Sequence, residues 1–364
     1  MSAPLAGIRV LELANVLAGP SCGQFLAELG ADVLKLEPPQ GDVTRTWLLP
    51  DEQPDARRSA YFCAANWGKQ SRCLDLGDEA SRQALFAMLA ETDILLMSYK
   101  PGDAARFGLA AADLRTRFPR LIIGEISGYG SNDPRVGYDA ILQAEAGFTY
   151  LNGNSTDDFH KMPVALVDLL AAHQLKQGLL LALYERERSG AGKLVQVALL
   201  DAAISSLANQ ATNYLVARKM PQPMGSEHPN IVPYGSMYSC KDGEKLVLAV
   251  GTDKQFATLC QLLGISIKPG WQQNAERVKA RDAVNQALAE AISQWTITEL
   301  LVRCQQLHIP CGRVNQMDAV MALAEKRGLV LREGKLASIR QQVFEPVLHA
   351  LQPAPGLEAA DQDQ

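Results

Sequence analysis

The first 126 residues alternate between short apolar runs and helical segments, and this alternation constrains the fold more than any other feature. The runs at 8–13, 32–37 and 94–97 are short, apolar and bounded by Gly, Pro or polar residues, as is typical of buried strands. A helical segment at 24–29 separates the first two runs and ends at Gly30. Successive strands joined by helices pair in parallel, so the pattern predicts a doubly wound, Rossmann-like α/β domain.

The domain organisation follows from the rest of the chain. Further strands are predicted at 73–76, 121–126 and 194–198, and further helices at 79–92, 110–117 and 200–215. Residues 217–235 are rich in Pro, Gly and polar residues and are predicted to form a linker. In residues 236–320 a strand, a turn and a second strand precede several helices, which predicts a smaller α+β domain. We therefore expect a large α/β domain over residues 1–216, followed by the linker and the small domain.

The composition argues against several classes of partner. The net charge of −5 and the absence of a basic run argue against nucleic acid. No run of 18 or more apolar residues is present, so we predict no membrane span. The N-terminus has no charged segment leading into an apolar one, so we expect no signal peptide and a cytoplasmic protein. Seven scattered cysteines indicate reduced thiols, and five scattered histidines argue against a zinc site.

A dinucleotide-binding dehydrogenase is one alternative for such a fold, because Glu37 lies where an acid would bind the ribose. That function needs a G-x-G-x-x-G turn after the first strand, which lets the backbone approach the pyrophosphate. Residues 14–23 read A-N-V-L-A-G-P-S-C-G instead. The sequence therefore argues against a nicotinamide enzyme.

Asp168 is the most informative single residue, since it is the one acid in the apolar run 163–172. Burying a carboxylate costs several kcal/mol unless it is paired or hydrogen-bonded. The following residues predict a long helix that ends at Ser189-Gly190, with one broad face formed by Leu169, Leu170, Leu175, Leu179, Leu180 and Leu183. Asp168 would then be the N-cap, where N–H groups and the helix dipole keep it ionised. A partly desolvated carboxylate there is also suited to be a nucleophile, and the residues alone leave both interpretations open.

Short motifs run in a fixed order from residue 4 to about residue 320. They are segments 4–13, 18–20, 29–37, 41–45, 66–71, 101–102, 127–130, 137–139, 143–147, 167–168, 182–186, 190–192, 228–234 and 309–312. In order and spacing they resemble the class III CoA-transferases, the CaiB/BaiF-like family of formyl-CoA transferase and carnitine CoA-transferase. Alpha-methylacyl-CoA racemase shares the fold of that family. The end of the chain departs from the pattern, because the closing Gly-Glu-His-Thr-like segment is not visible.

The resemblance implies that Asp168 is the catalytic nucleophile of a CoA-transferase. Its carboxylate would attack the thioester of an acyl-CoA, giving a mixed anhydride and CoA thiolate. The thiolate would then attack the aspartyl carbonyl, release the donor acid and leave an aspartyl-CoA thioester. An acceptor acid would reverse these steps, with local backbone N–H groups stabilising the oxyanion. The resemblance implies no metal or redox cofactor and no permanently bound cofactor, with coenzyme A and acyl-CoA as substrates.

The resemblance also implies a set of CoA-binding residues on the loops that follow the first strands, the edge where open α/β sheets bind ligands. The set is Leu17, Ala18, Arg45, Lys69, Arg72, Leu74, Asp75, Ser98, Tyr99, Lys100, Arg106 and Tyr138. Its five cations are candidates for the CoA phosphates, and the alternative for each is a solvated surface group. Leu17, Ala18 and Arg106 match CoA contacts of the family. Pro38 and Val136 depart, since formyl-CoA transferase has an arginine and a lysine there.

A racemase is the second function that the fold supports. It would need two opposed acid–base groups, and the racemase branch uses a His in a Gly-His-Asp triplet. This chain has Gly137-Tyr138-Asp139, and tyrosine is a poor base near neutral pH. His173 is five residues beyond Asp168 and does not share its helix face. The sequence thus favours a transferase over a 2-methylacyl-CoA epimerase, and a CoA-binding protein without catalysis is the third alternative.

The substrates and the assembly are expectations from the resemblance. The acyl group is expected near Trp47, Tyr138, Tyr234 and Asp253. Succinyl-CoA or another small acyl-CoA is the expected donor, and a small dicarboxylic or hydroxy acid is the expected acceptor. Because only Gly225 and Gly235 occupy the region of the family's glycine-rich loop, a different lid is expected. The family architecture implies an interlocked homodimer, with residues 321–364 returning to the large domain and a poorly ordered tail from about Gln352.

Overall fold

A six-stranded, fully parallel sheet lies at the centre of the computed structural model, which describes residues 3–100, 102–344 and 351–357. Its strands are β1 (Arg9–Leu13), β2 (Asp32–Glu37), β3 (Gln70–Cys73), β4 (Ile94–Met97), β5 (Ile122–Ser127) and β6 (Leu194–Ala198). They lie in the order β3-β2-β1-β4-β5-β6, and every neighbouring pair is parallel. This order confirms the predicted doubly wound fold. The order reverses between β1 and β4, which is where such sheets open a crevice for ligands.

The other elements surround this sheet or form the smaller sheets. The helices are α1 (Ala18–Glu28), α2 (Ala60–Cys63), α3 (Glu79–Leu89), α4 (Asp103–Arg106), α5 (Ala111–Arg117), α6 (Asp139–Glu145), α7 (Phe148–Leu151), α8 (Leu166–Ser189), α9 (Leu199–Ser205), α10 (Ala208–Ala217), α11 (Asp253–Leu263), α12 (Asn274–Lys279), α13 (Arg281–Ile292), α14 (Ile297–Gln306) and α15 (Met317–Lys326). The remaining strands are β7 (Tyr234–Ser239), β8 (Lys245–Ala249), β9 (Cys311–Arg313), β10 (Val330–Glu333) and β11 (Leu336–Ile339). Two short 3₁₀ helices, Val43–Thr46 and Asp55–Arg57, follow β2.

Two predicted elements differ from the structure. The strand predicted at 73–76 is β3, three residues earlier, because its pairing with β2 begins at Gln70. The helix predicted at 200–215 is two helices, α9 and α10. The break comes at Ala208, whose φ of +48° does not fit a continuous right-handed helix.

The backbone contacts divide the chain into two compact units. The larger comprises Met1–Ala146, Met162–Ala208 and Leu323–Gln364, and the smaller Gly147–Lys161 and Asn209–Ala322. These units are defined by contacts within the chain, so the predicted domain boundaries at 216, 235 and 320 stay a prediction. In the smaller unit β7, β8 and β9 form an antiparallel sheet whose core includes Leu246, Leu248, Phe256, Leu288 and Leu300.

Helix α8 is the long helix that was predicted to follow Asp168, and it ends at Gly190, whose φ is +73°. Val167, Ala171, Leu175 and Leu179 face the core, where α8 packs against β5, β6, α1 and α9. The predicted apolar face was too broad, since Leu180 is 37% exposed on the adjacent side of the helix. Among the described residues α8 alone is long and apolar enough to cross a membrane by length and composition, which is weak evidence because core helices share that composition. The cytoplasmic location stays a prediction.

Residues 341–342 and 352–355 contact earlier segments of the larger unit. Backbone N–H groups of Gln341 and Gln342 donate to the carboxylate of Glu28 in α1, at 2.8 and 3.1 Å. The N–H of Gly68 donates to the carbonyl of Gln352 at 2.7 Å, and Ala354 is fully buried. Carbonyls of residues 352–355 thus accept hydrogen bonds from earlier segments, and the predicted poorly ordered tail stays a prediction. Residues 358–364 of that predicted tail lie outside the described residues.

Candidate active site

A cavity of about 220 Å³ opens at the carboxyl edge of the parallel sheet. The loops after β1 and β4 and the end of β5 form its walls, so it occupies the crevice between the two halves of the sheet. Its lining residues are Asn15, Val16, Leu17, Ala18, Gly19, Ser98, Tyr99, Lys100, Ile126, Ser127, Gly128, Arg135, Val136, Gly137, Tyr138, Asp139, Asp168 and Leu199. This cavity is the candidate active site because it brings Asp168 together with several of the predicted CoA-binding residues.

Asp168 is the third residue of α8 and is only 9% exposed. The predicted N-cap role of Asp168 is wrong, because Ala165 is the N-cap residue of α8 and makes no capping hydrogen bond with its side chain. Instead Asp139, at the start of α6, accepts the backbone N–H of Val167 at 2.8 Å. Within the part of the chain that the structure describes, the Asp168 carboxylate has no hydrogen-bond partner. It is a buried acid whose charge is not compensated by a donor.

Asp139 is held in place by Gln143, one turn further along α6. The side-chain amide of Gln143 donates to Asp139 Oδ2 at 2.7 Å, and its carbonyl accepts the N–H of Met162 at 2.7 Å. The same amide lies 3.2 and 3.3 Å from the carbonyls of Met162 and Val164. Gln143 therefore ties the segment before α8 to α6 and fixes the carboxylate of Asp139 at the start of α8.

The electrostatic setting of Asp168 is the opposite of the predicted one. Burial, and then the negative charge of Asp139, raise the pKa of Asp168 to about 7 from its ordinary value near 3.8. The expectation that the helix start keeps this carboxylate ionised is wrong, because the N–H of Val167 donates to Asp139 instead. Burial and the charges of Asp168 and Asp139 also raise the pKa of Tyr61. An uncompensated carboxyl with a pKa near neutrality is typical of reactive groups.

Six of the predicted CoA-binding residues line the cavity with Asp168: Leu17, Ala18, Ser98, Tyr99, Lys100 and Tyr138. The N–H of Asn15 donates to Ser98 Oγ at 3.1 Å, which connects the loops after β1 and β4. Gly128 and Gly137 touch each other so closely that a Cβ on either would collide with the other. This contact explains why both loops carry glycine there, and Val136, one of the two departures from the family pattern, lies beside it in the cavity wall.

Arg45 does not lie where a CoA phosphate could reach it. It is 2% exposed and forms a two-pronged ion pair with Glu37, with Nη2–Oε1 and Nε–Oε2 distances of 2.6 and 2.7 Å. Its guanidinium also stacks on the ring of Phe62 and donates to the carbonyl of Pro355. The prediction that Arg45 contacts CoA is therefore corrected: the residue holds the end of the chain against the sheet. The same ion pair engages both oxygens of Glu37, the residue that would bind the ribose in a dehydrogenase.

Lys69 is also buried, with 3% of its surface exposed, so its predicted contact with CoA is corrected as well. Its ammonium lies 2.7 Å from Glu12 Oε2. Burial and the neighbouring charge of Lys35 lower the pKa of Lys69 to about 8, against the opposing effect of Glu12. A buried lysine whose ammonium group already makes such contacts has no free donor for a phosphate.

The remaining predicted residues lie outside the cavity lining. Arg72, Leu74 and Asp75 lie at the end of β3 or just after it, and Asp75 accepts the N–H of Gly77. The side chain of Arg106 is 77% exposed and lies 3.7 Å from Asp103. These residues are accessible at the correct edge of the sheet, and their contacts with CoA stay a prediction.

The residues predicted around the acyl group fall in both units. Trp47, in the larger unit, is 39% exposed and makes an edge-to-face contact with Tyr61, with ring centroids 5.0 Å apart. Tyr234 and Asp253 belong to the smaller unit, where Tyr234 makes an edge-to-face contact with His228 and Asp253 pairs with Arg277 at 2.8 Å. All seven cysteines are free, and the described residues contain no cluster of three or more metal-ligating side chains.

The sequence reasoning missed Asn15, Asp139 and Gln143 as parts of the site. Asp139 was in view as the third residue of Gly137-Tyr138-Asp139, but that triplet was used only to look for a histidine. The available signal was an acid two residues after Gly137, followed by a glutamine four residues on, since a glutamine one helical turn away can hold a carboxylate in place.

The profile of CoA-transferase family III matches residues 5–354. The chain belongs to this family. It is 37% identical over 338 residues to a succinate–glutarate CoA-transferase of Agrobacterium fabrum, covering 90% of this chain and 84% of that protein. It is 31% identical over 326 residues to the human succinyl-CoA:glutarate CoA-transferase, covering 88% and 73%. A succinyl-CoA:mesaconate CoA-transferase of Haloarcula hispanica is 33% identical over 324 residues, covering 85% and 80%.

The family III fold also matches solved structures along the whole chain. A CaiB/BaiF family protein from Brucella suis is 34% identical, with a TM-score of 0.85 and coverage of 99% of this chain and 97% of that one. The protein is therefore a CoA-transferase of family III, and CoA thioesters are its substrates.

Proposed function

We propose that this family III CoA-transferase moves CoA from succinyl-CoA to a small dicarboxylic acid, with Asp168 as the nucleophile. One observation carries the proposal: a buried carboxylate to which no group of the described residues donates a hydrogen bond lines the cavity at the carboxyl edge of the sheet. A carboxylate that has lost its solvation and gained no donor is a stronger nucleophile than one in water.

The choice of acids comes from the relatives. Three of them, in a bacterium, an archaeon and humans, are named for succinate or succinyl-CoA together with a second dicarboxylic acid, glutarate or mesaconate. A dicarboxylate keeps one carboxylate free while the other reacts, so its site needs a cation or several donors. Lys100 and Arg135 line the cavity and are the cations that we propose for this role.

In the proposed first half-reaction, an Asp168 oxygen attacks the thioester carbonyl of the donor. The C–S bond breaks, CoA leaves as the thiolate, and an acyl–aspartyl anhydride remains. The thiolate then attacks Cγ of Asp168, the bond between Cγ and the bridging oxygen breaks, and the donor acid leaves with that oxygen. The acceptor carboxylate attacks the resulting aspartyl-CoA thioester, and the same steps run in reverse.

The cavity lining supports this scheme both where the CoA thiol arm and where the acyl group of the substrate would bind. Leu17 and Ala18 lie at the start of α1, beside the turn that we propose contacts the CoA thiol arm. Their backbone N–H groups, at the free N-terminus of that helix, are suited to stabilise the oxyanions. Tyr138 occupies the position where a racemase carries its histidine, and its half-exposed side chain is proposed to contact the acyl group.

We also propose that two copies of the chain form a homodimer. Leu181 and Tyr184 leave an apolar surface on α8 that is 64% and 62% exposed. Such a surface is typical of an interface. Light scattering of the purified protein is expected to give twice the mass of one chain, and the mass of a single chain would contradict the dimer.

The proposed function is tested by trapping the acyl-enzyme. The protein is incubated with a panel of acyl-CoA donors, quenched with hydroxylamine or borohydride, and the modified peptide is identified by mass spectrometry. We expect modification of Asp168 with succinyl-CoA, its loss in Asp168→Asn, and its retention in the neighbouring control Asp139→Asn. Modification that survives in Asp168→Asn contradicts the proposal. Exchange of an α-proton without any adduct would instead identify an epimerase, and CoA binding without either would identify a binding protein.

A further inference from the structure

Four buried charged side chains, Glu12, Lys35, Asp42 and Lys69, meet beneath the turn that follows β1, and we call them the buried charge cluster. Their exposed fractions are between 0% and 3%. Lys35 Nζ lies 3.0 Å from Glu12 Oε1 and 3.1 Å from Asp42 Oδ2, and Lys69 Nζ lies 2.7 Å from Glu12 Oε2. With two acidic and two basic side chains, the formal charges of the cluster balance.

Such a cluster is an expensive way to fill a protein interior. Each buried ion costs several kcal/mol of desolvation, and apolar residues of the same volume often give equal or greater stability. The structure even makes room for it, because a Cβ at Gly23 in α1 would collide with Glu12 Oε2. The cluster therefore needs a role other than stability.

That role is indicated by its contacts with the backbone. Lys35 Nζ donates to the carbonyl of Ala14 at 2.6 Å, and Lys69 Nζ donates to the carbonyl of Pro20 at 2.9 Å. Asp42 Oδ2 accepts the N–H of Val16 at 3.2 Å. The three contacts lie on both sides of the pair Leu17-Ala18. The cluster therefore holds residues 14–20, the turn after β1 with the first residues of α1, at both ends and at Val16.

Val16 shows why the turn needs to be held. Its φ is +70°, in the left-handed region that costs a residue other than glycine about 1–2 kcal/mol, and a β-branched side chain is especially unfavourable there. A backbone in this conformation persists only where its surroundings fix it. The Asp42 carboxylate, itself fixed by Lys35 and by the N–H and hydroxyl of Thr44 at 3.0 and 2.8 Å, supplies that contact.

We propose that the buried charge cluster positions the turn 14–20 for binding CoA, and that Asp42 is its principal positioning residue through the N–H of Val16. The inference rests on the proposed function, since it takes the cavity beside Leu17 and Ala18 as the CoA site. The four side chains touch no substrate, and they act through the backbone that does.

The test is the dissociation constant of CoA, measured by calorimetry without turnover. Asparagine at position 42 has the same shape, but it has one acceptor oxygen where aspartate uses two, for Val16 and for Thr44. It therefore loses one of these contacts together with the charge that pairs with Lys35. Asp42→Asn is expected to weaken CoA binding about tenfold, the effect of losing one hydrogen bond to a charged group. The KM for acyl-CoA is expected to rise in parallel, while the KM for the acceptor acid stays unchanged.

The matched control is Asp93→Asn. Asp93 pairs with the buried Arg186 at 2.9 Å, but it lies before β4 at the opposite edge of the same sheet. This variant is expected to lose stability and to keep the CoA affinity of the wild type. If both variants weaken CoA binding equally, or if folded Asp42→Asn binds CoA as tightly as the wild type, the positioning role is refuted.

Two further variants keep the test decisive. Val16→Gly adopts a positive φ without strain, so Asp42→Asn is expected to cost less affinity in that background than in the wild type. If Asp42→Asn does not fold, Thr44→Val removes one hydrogen bond to the same carboxylate at similar volume, and is expected to weaken CoA binding about threefold. An unchanged constant in folded Thr44→Val contradicts the proposal.

The outcome is distinguishable from a failure of the proposed function. If the wild type does not bind CoA, or binds it without forming an adduct at Asp168, the proposed function fails at its own step. If the wild type binds CoA and forms the adduct while Asp42→Asn does both equally well, only the positioning role fails.

Discussion

Glu37 and Asp168 are both buried carboxylates at the same edge of the sheet, yet they have opposite surroundings. Glu37 receives the guanidinium of Arg45 and the hydroxyl of Ser71, and although burial raises its pKa, these partners lower it to about 2. For Asp168, burial and then the negative charge of its neighbour Asp139 raise the pKa to about 7. The same chemical group is thus stabilised as an anion in one place and destabilised in the other.

The difference distinguishes carboxylates that stabilise the fold from the carboxylate that we propose reacts. A carboxylate that is paired and hydrogen-bonded fixes the backbone around it and has little tendency to react. A carboxylate without donors has a higher free energy as an anion, and an attack on an electrophile relieves that cost. The buried charge cluster belongs with Glu37 on the scaffold side. The predictions below test this contrast.

The largest expected effect is on catalysis at Asp168. Asp168→Asn removes the nucleophile, and kcat/KM for CoA transfer is expected to fall by at least about 10⁴-fold. Circular dichroism is expected to show an intact fold. A folded variant with more than about a tenth of the wild-type activity would place the nucleophile elsewhere.

The second-largest expected effect is on stability, at Glu12, a carboxylate that is paired in the buried charge cluster. Glu12→Gln leaves Lys35 and Lys69 without their shared carboxylate, and the free energy of unfolding is expected to fall by about 3–5 kcal/mol. Glu91→Gln, in the exposed pair with Arg9, is the control and is expected to change it by less than about 0.5 kcal/mol. Equal effects in urea denaturation would remove the distinction between the cluster and the surface.

Asp168→Asn is expected to raise the free energy of unfolding, whereas Glu12→Gln is expected to lower it. The folded pKa of Asp168 lies above the unfolded value, so the wild type loses stability as pH rises from about 4 to about 7. Asparagine does not titrate, and the variant is expected to be more stable at pH 8 by about 2–4 kcal/mol. The gain is expected to be smaller by about 2–3 kcal/mol at pH 5. A gain that does not change between these two pH values would show that Asp168 does not titrate in this range.

The smallest effect concerns Asp139. Because Asp168 must be ionised to attack, kcat/KM is expected to fall as pH drops below about 7. Burial is the larger cause of the raised pKa and the charge of Asp139 the lesser, so Asp139→Asn is expected to move this midpoint down by about one pH unit. Asparagine can still accept the N–H of Val167 through its carbonyl oxygen. A midpoint that does not move would leave burial as the sole cause.

The sequence was sufficient to predict the doubly wound sheet, because most of its strands contain short apolar runs and β4 is buried along its whole length. The polar strand β3 was predicted three residues too late because Gln70–Cys73 has no apolar run. It also directed attention to Asp168 and to the turn at Leu17 and Ala18. The split between α9 and α10 was not predictable in this way, since the apolar periodicity continues across Ala208 and only the backbone dihedral reveals the break.

The errors at Arg45 and Lys69 have a common cause. A cation on a loop after a parallel strand resembles a phosphate ligand, and the linear sequence does not show which carboxylate it meets. Glu37 is eight residues from Arg45, which returns to it in the 3₁₀ helix after β2. Glu12 is fifty-seven residues from Lys69, and the strand order β3-β2-β1 brings the two together. The setting of Asp168 was missed for the same reason, because Asp139 reaches the start of α8 from a different helix.

The most direct test of the account is the fate of oxygen in one turnover. The enzyme is converted to its aspartyl-CoA form with unlabelled succinyl-CoA and then given a dicarboxylic acceptor labelled with oxygen-18 in its carboxylates. If Asp168 forms the anhydride, one labelled oxygen is left on its side chain, so the peptide containing Asp168 gains one oxygen-18 atom. A second turnover with unlabelled acceptor is expected to carry that atom into the released succinate. Product acyl-CoA formed without label in the Asp168 peptide would contradict a covalent role for this residue.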